Sequence, residues 1–399
     1  MKILYTAFDV VPAPKGASVR IQHMLRHLAA QATELSAVVL GEPGFPEREI
    51  TSEGIQYIRL TTPTPSFLER TVVFAEKVLE TFLELRPDVV QFRSLWDAYP
   101  LIRFCRAQGF SPRLIYELHG LPEFELEHHF EDLSEALLHK IRQQQQYILE
   151  QADLVITPSE VHLDFLKARG VPESKRLQVP NGVDTDHFTP PTEMADTETA
   201  QDELLRLVYV GTLAPWQGLE HLLEALNLFQ HLTPRPFQIQ WVGKGQRRWI
   251  RDLMTRAFQL RLSHVLDVVG PIPYDQVPEF IRPAHIALAP LDTSDRNCVQ
   301  GCMPLKILEY MACGRAIIAS DLPVNRALLQ HEHNALLYAP EDDEALAKAI
   351  LRLAENPQLR GWLGEQARAD ARREFSWSAR LQPLNLGIIG ADFSEDKTP

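Results

Sequence analysis

Leu207-Val208-Tyr209-Val210-Gly211-Thr212-Leu213-Ala214-Pro215-Trp216-Gln217-Gly218-Leu219 is the stretch on which the fold turns. A β-branched apolar run stops at a glycine, a short loop bounded by a second glycine follows, and a helix-like stretch opens at Leu219. A parallel strand handing over to a crossover helix reads this way. The loop has the local form of a phosphate seat, since the first N–H groups of a helix lack intrahelical partners and sit at its positive end.

Downstream, the same alternation repeats through strand-like runs at Leu207–Gly211, Phe237–Gly243, Val265–Gly270, His285–Pro290 and Ala316–Ser320. Upstream, an independent series runs through Lys2–Ala7, Ser36–Leu40, Ile55–Leu60, Asp88–Phe92, Arg113–Leu118, Leu154–Thr157 and Leu177–Pro180. Ile21, Met24, Leu25 and Leu28 fall at helical spacing between the first two of these. Ser159 is placed to cap a helix that Gly170 stops. Between the two series, Thr189–Glu203 is rich in Pro, Thr and acidic residues and has little periodicity. The expectation is therefore an α/β chain of two doubly wound parallel-sheet domains, at 1–188 and 205–375, joined by a linker at 189–204, with 376–399 packing back onto the first. Open parallel sheets bind ligands beyond the carboxyl ends of their strands, so two such domains facing across a cleft would place a site between them.

The bulk properties agree. A chain of 399 residues suits two domains of ordinary size, and 45% hydrophobic with 23% charged residues is a globular composition. No run approaches the ~20 apolar residues of a membrane span. The N-terminus enters a strand-like run without the zones of a secretory signal, so the expected location is cytoplasmic. A formal charge of −13 argues against nucleic acid as a partner, while leaving room for a local basic patch that touches anionic lipid at the inner face of a membrane. Cys105, Cys298, Cys302 and Cys313 are too few for a disulfide framework and read as unpaired thiols rather than a zinc site.

Several glycines stand at strand ends. Lys15-Gly16-Ala17-Ser18 precedes a helix beginning near Val19, where free N–H groups could face an anion; an ordinary turn fits the same residues. In Pro180-Asn181-Gly182-Val183-Asp184, Asn181 and Gly182 suit the left-handed conformations of a tight turn. Trp241-Val242-Gly243-Lys244-Gly245 and Val269-Gly270-Pro271 end two further strands on the edge that carries Gly211 and Thr212. The richest stretch is Cys302-Met303-Pro304-Leu305-Lys306-Ile307-Leu308-Glu309-Tyr310-Met311-Ala312-Cys313-Gly314. Lys306 lies in the first turn of a helix, where the dipole disfavours a cation unless an anion binds there, and Glu309 is a suitable acceptor for the paired hydroxyls of a ribose. A solvated Lys306–Glu309 pair is the competing reading. Asp184 and Asp186, and His128-His129 among Glu125, Glu127 and Glu131, are read as turn and solvated residues, so no metal is expected. Arg247-Arg248 is placed on the surface after Gly245, and Gln143 to Gln146 inside a helix.

In order and spacing these pieces resemble glycosyltransferase family 4 over nearly the whole chain: Gly16 to Arg20, His119-Gly120, Pro180 to Asp184, Val210 to Leu219, Val242 to Gly245, Val269 to Pro278, Pro304 to Gly314, and Phe375-Ser376-Trp377. The resemblance implies the GT-B architecture and transfer of a hexose-type sugar from a nucleoside-diphosphate-sugar, with retention, to a hydroxyl of a glycan, lipid-linked or small-molecule acceptor. No cofactor is implied. It assigns the catalytic positions to His119, Lys306 and Glu309. Donor contacts fall on Gly16, Ser18, Gly211, Thr212, Gln217, Gly243, Lys244, Gly270, Arg296, Leu305, Lys306 and Glu309. The acceptor wall falls in the first domain from Thr61 to Asp132, where Phe67, Phe92, Trp96 and Phe124 could stack on a sugar or lipid or belong to the core.

Three positions depart from the family pattern. Thr212 and Gln217 stand where an arginine and a lysine commonly neutralise the diphosphate, and Gly301 stands eight positions before Glu309, where a second glutamate is common. Lys306 is then expected to supply charge from another direction, helped by Arg296 or Lys244. The same departures support an alternative: a GT-B-shaped binding or assembly subunit with weak or no turnover.

Overall fold

The computed structural model describes residues 1–62, 66–122, 126, 133–191, 204–300 and 303–385. The chain divides into two compact units, one of Met1–Pro180 with the described residues from Arg380 on, the other of Asn181–Ala379.

The first unit is built on an eight-stranded sheet in the order β3-β4-β2-β1-β5-β6-β7-β8. These strands are β1 (Lys2–Val10), β2 (Glu34–Leu40), β3 (Arg48–Ile50), β4 (Ile55–Leu60), β5 (Val89–Phe92), β6 (Arg113–Glu117), β7 (Leu154–Thr157) and β8 (Arg176–Gln178). All pairings are parallel except β3 with β4. The central strands β1, β5 and β7 are buried on both faces, which is why they read as continuous apolar runs rather than alternating ones. Ser159 caps its helix as expected, its Oγ accepting from His162 N (3.4 Å), and Ser66 Oγ likewise accepts from Glu69 N (3.4 Å).

The second unit has a six-stranded sheet in the order β11-β10-β9-β12-β13-β14, from β9 (Leu205–Val210), β10 (Phe237–Val242), β11 (Leu266–Val269), β12 (Ile286–Ala289), β13 (Ala316–Ser320) and β14 (Leu336–Tyr338), parallel throughout. Alternation divides its core. Leu205, Leu207 and Tyr209 join Phe237, Ile239 and Trp241 on one face, while Val208, Val210 and Val242 join the Leu305–Ala312 helix on the other. In each sheet the chain builds outward from one strand, then returns to that strand's other side: β1 and β5 in the first, β9 and β12 in the second. Loops leaving such a pair diverge and open a crevice at the carboxyl edge.

The structure differs from the sequence reading in several details. The division falls at Pro180–Asn181 rather than 188, because the following residues are tied into the second unit: Val183 N donates to Phe375 O (2.8 Å), and Arg368 donates to Thr185 O and Phe188 O (2.8 Å each). Within 376–399, the first unit takes the chain only from Arg380, since Trp377 N donates to Val183 O at 3.3 Å. Of the expected linker, 192–203 lies outside the described residues. Asn181 and Gly182 do not take left-handed φ. Instead Asn181 donates through Nδ2 to Met303 O (2.8 Å), and Gly182 is needed for close approach, since a Cβ there would lie 2.7 Å from the Trp377 backbone. The first helix spans Gly16–Ala29, beginning ahead of Val19, and β3 and β14 add two strands the periodicity did not mark.

Candidate active site

In the second unit the crevice between β9 and β12 is closed by backbone. Gly218 has φ +67° and a Cβ there would stand 1.7 Å from Pro290 O; Gly243 has φ +149° and its Cβ would stand 2.0 Å from Gly211 O. These glycines let the loops after β9, β10 and β12 meet. Asn297 Nδ2 then donates to Trp216 O (2.8 Å), and the Arg296 guanidinium stacks 4.5 Å from the Trp216 ring centroid. Leu213 N donates to Lys244 O (2.8 Å), which ties in the loop after β10 and leaves the Lys244 side chain exposed.

The Leu305–Ala312 helix is fixed against this edge by Tyr310, whose hydroxyl accepts from Val210 N (2.7 Å) and donates to Leu288 O (3.3 Å), bridging β9 and β12. Lys306, one residue into the helix and 9% exposed, reaches the loop after β9. Its ammonium donates to Tyr209 Oη (2.9 Å) and to Gln217 Oε1, lies 4.1 Å from the Tyr209 ring centroid, and sits 3.0 Å from where a Cβ on Gly211 would be. Tyr209 Oη stands 2.7 Å from Thr212 O and 2.9 Å from Gln217 Oε1. Lys306, Gly211, Thr212 and Gln217 thus form one cluster, with Arg296 on its Trp216 side and Leu305 half-buried beside it.

Glu309, one turn later, is 5% exposed, so the solvated Lys306–Glu309 pair does not hold. Burial pushes its pKa up to about 7, against the opposing pull of Tyr274 and Lys306. The Tyr274 hydroxyl beside it is itself buried, its pKa raised by burial first and then by the Glu309 charge. Gly270 stands apart: it is exposed, lacks a left-handed φ, and a Cβ there would meet nothing within 4 Å. Gly301 lies outside the described residues.

In the first unit, Gly16 is exposed at the head of the Gly16–Ala29 helix, whose start carries no side-chain cap. Ser18, by contrast, is buried and committed to the loop, accepting from Ala13 N at 2.8 Å. Beneath this loop lies an ionic cluster that the motifs did not announce. Glu117, at the end of β6 and fully buried, accepts from Tyr5 Oη (2.9 Å), Arg20 Nε (2.9 Å), Gln91 Nε2 (3.0 Å), Arg93 (3.1 Å) and His119 Nε2. Burial pushes the Glu117 carboxyl up, but His119, Arg93 and Arg20 outweigh it and hold it well below the usual carboxylate range. His119 moves well below its ordinary value, through burial first and then the two arginines. The available signal was the period of a strand continued past its end: Glu117 and His119, two apart, share a face. Tyr209 and Tyr310 gave no such signal, since each reads as an ordinary core aromatic.

Phe92 is wholly buried in the core of the first unit, and Phe67 packs edge-on against Trp96 (5.4 Å) at the margin of that core; Phe124 lies outside the described residues. Asp184 Oδ1 accepts from Asp186 N and His187 N (3.0 Å each), closing a turn. Among the described residues no group of three or more His, Cys, Asp or Glu side chains could hold a metal ion. Glu125, Glu127, His128, His129, Glu131 and Cys302 are outside them. Arg247 and Arg248 are exposed, and no described helix is long and apolar enough to cross a membrane.

A family model described as Glycosyltransferase Family 4 matches residues 14–187, and one described as Glycosyl transferases group 1 matches 205–356. An uncharacterised glycosyltransferase of Methanocaldococcus jannaschii is 20% identical over 386 residues, 93% of this chain and 94% of that protein. Among solved structures, sucrose-phosphate synthase from Thermosynechococcus elongatus superposes with a TM-score of 0.77 at 20% identity, over 96% of this chain and 97% of that one. Anabaena HepE in complex with UDP gives 0.73 at 19%, over 96% and 98%. HepE has also been solved with UDP-glucose. At these identities the likeness of structures concerns the fold, which is GT-B.

Proposed function

Since the chain belongs to glycosyltransferase family 4, we propose that it transfers a hexose-type sugar from a nucleoside-diphosphate-sugar to a hydroxyl of a glycan, lipid-linked or small-molecule acceptor, with retention and without a cofactor. The observation that carries this reading is the place of Lys306. Its ammonium touches Gln217 and abuts Gly211, in the loop where the family pattern has its own cations. Tyr209 and Gln217 offer its ammonium neutral oxygens, and a bound diphosphate would add the negative charge that a buried cation gains most from.

The chemistry asks for little more. In a retaining transfer the leaving diphosphate needs charge stabilisation, and the acceptor hydroxyl must be held against the departing face; positioning and electrostatics dominate. Lys306 and Arg296 take the charge role, Glu309 accepts the ribose hydroxyls, the Gly16 helix start approaches the diphosphate, and His119 contacts the donor sugar. HepE, solved with UDP and with UDP-glucose, supports a uridine nucleotide as the first donor to try. The reading places the enzyme in the cytoplasm, peripherally at the inner face of a membrane when its acceptor is lipid-linked. Exposed Leu68 and Val72, on the Phe67–Leu85 helix, support such a contact.

The test is a donor panel measured by calorimetry, followed by an assay for released nucleoside diphosphate. Lys306→Ala should lower donor affinity by roughly tenfold to a hundredfold, the worth of one charge-assisted contact of ~1.5–3 kcal/mol. Unchanged affinity and turnover in that variant would remove the central cation from the scheme. Thr212 and Gln217 favour a second reading, a binding or assembly subunit, and tight donor binding without release in the presence of acceptors would select it.

A further inference from the structure

Among the described residues, every polar atom within hydrogen-bonding distance of the Glu117 carboxylate, the His119 ring nitrogen apart, is a donor. Oε1 receives Arg20 Nε, Arg93 and His119 Nε2; Oε2 receives Tyr5 Oη and Gln91 Nε2. A carboxyl so surrounded carries no proton of its own. The contact between Oε1 and His119 Nε2 therefore needs its proton on the imidazole, because two lone pairs facing one another would repel. Arg20 Nε also lies 3.1 Å from His119 Nε2, but its single proton is spent on Glu117 Oε1 at 2.9 Å, and a protonated Nε2 cannot accept it.

We infer that Glu117 is a positioning residue: its carboxylate holds the Nε2 proton of His119, so the ring meets its ligand with the Nδ1 lone pair as an acceptor for a hydroxyl. Nδ1 makes no hydrogen bond to any described residue, and the His119 side chain remains 18% exposed while Glu117 is sealed beneath it. Among the described residues, the charged and titratable groups around the ring are Tyr5 from β1, Arg20 from the Gly16–Ala29 helix, Arg93 after β5 and Glu117 from β6, with Asp9 acting on Arg93. The two arginines oppose a positive imidazole and Glu117 favours one; with burial added, the neutral ring prevails. A neutral ring offering a lone pair selects an O–H group and gives no ion pair to an anion. This rests on the reading of His119 as a sugar contact, which it sharpens by naming the atom and the group that aims it.

The tautomer can be read without turnover. In full-length protein labelled with 15N-histidine, long-range 1H–15N correlation assigns His119 by its loss in His119→Asn. At pH 7 the expected pattern is a protonated Nε2 with a bare Nδ1, persisting as acid is added until well after exposed histidines have charged. UDP-glucose should move the Nδ1 resonance. An Nδ1-protonated ring or an imidazolium at pH 7 in the wild type overturns the inference. Glu117→Asp keeps the charge but withdraws it by one methylene, and should lower kcat on the order of tenfold by mixing the tautomers. In His119→Asn the same change should add nothing, whereas a merely structural role would give additive losses and overturn the assignment. If Glu117→Asp does not fold, the wild-type spectrum decides alone. Absence of any donor binding or turnover in the wild type would instead sink the transferase reading, leaving the spectrum to judge Glu117.

Discussion

Glu309 couples recognition to stability through one proton. Its carboxyl is raised from an ordinary 4.5 to about 7 by burial, so the folded chain holds a proton that the unfolded chain releases more readily. The stability owed to the protonated form is complete below about pH 4.5 and is lost as pH rises toward and through 7; above that the buried carboxylate costs roughly 3 kcal/mol. Glu309→Gln keeps the shape and removes the charge. In urea titrations it should be more stable than wild type by roughly 2–3 kcal/mol more at pH 8 than at pH 5, while its affinity for a nucleoside diphosphate falls by about tenfold through the lost charged acceptor. A stability difference that stays flat between the two pH values would mean the carboxylate pays no desolvation cost, and with it the poised acceptor would go.

Loops rather than side chains hold the second unit's site together, and glycines mark where they touch. Gly218→Ala would force φ +67° on a residue with a Cβ and drive that atom into Pro290 O, at 1.7 Å. The expected loss is on the order of 3 kcal/mol, together with a loosened Trp216–Asn297 contact and weaker donor binding. Gly270→Ala, in open space, should change thermal stability by less than about 0.5 kcal/mol. Equal effects in the two variants would contradict the close approach. The contrast also marks where the sequence was legible. Each strand of the doubly wound frames that is buried on both faces was readable, because such strands are continuous apolar runs. β3 was hidden because Arg48-Glu49-Ile50 is exposed and lies at the antiparallel edge, and β14 because three residues are too few for a period. Gly243 ends a strand and Gly218 opens a helix, and both permit close approach, yet the strand-end glycine at 270 has nothing near it, and the glycine at 182 answers to the Trp377 backbone rather than to a turn. Beyond the local Glu117–His119 pair, the Glu117 cluster is long-range in sequence, drawing in residues 5, 20, 91 and 93, so no local pattern could assemble the whole of it.

The two units have separate cores, one around β1 and β5, the other on both faces of the β9 to β14 sheet. A chain of this kind need not melt in a single step. A donor seated mainly by loops of the second unit stabilises that unit by mass action, about 2.7 kcal/mol at a ligand concentration one hundred times Kd. For a unit of this size that corresponds to a rise of roughly 5–10 °C in its midpoint. The chain supplies its own reporter: of six tryptophans, Trp216, Trp241, Trp249, Trp362 and Trp377 fall in the second unit and Trp96 alone in the first. Tryptophan emission during heating should therefore follow the second unit almost exclusively, and fully so in Trp96→Phe. Saturating UDP-glucose should move that emission midpoint upward, and Lys306→Ala at the same ligand concentration should return most of the rise. If neither UDP-glucose nor any other member of the donor panel moves the emission midpoint, the donor seat does not lie on the β9 edge, whatever the fold resembles.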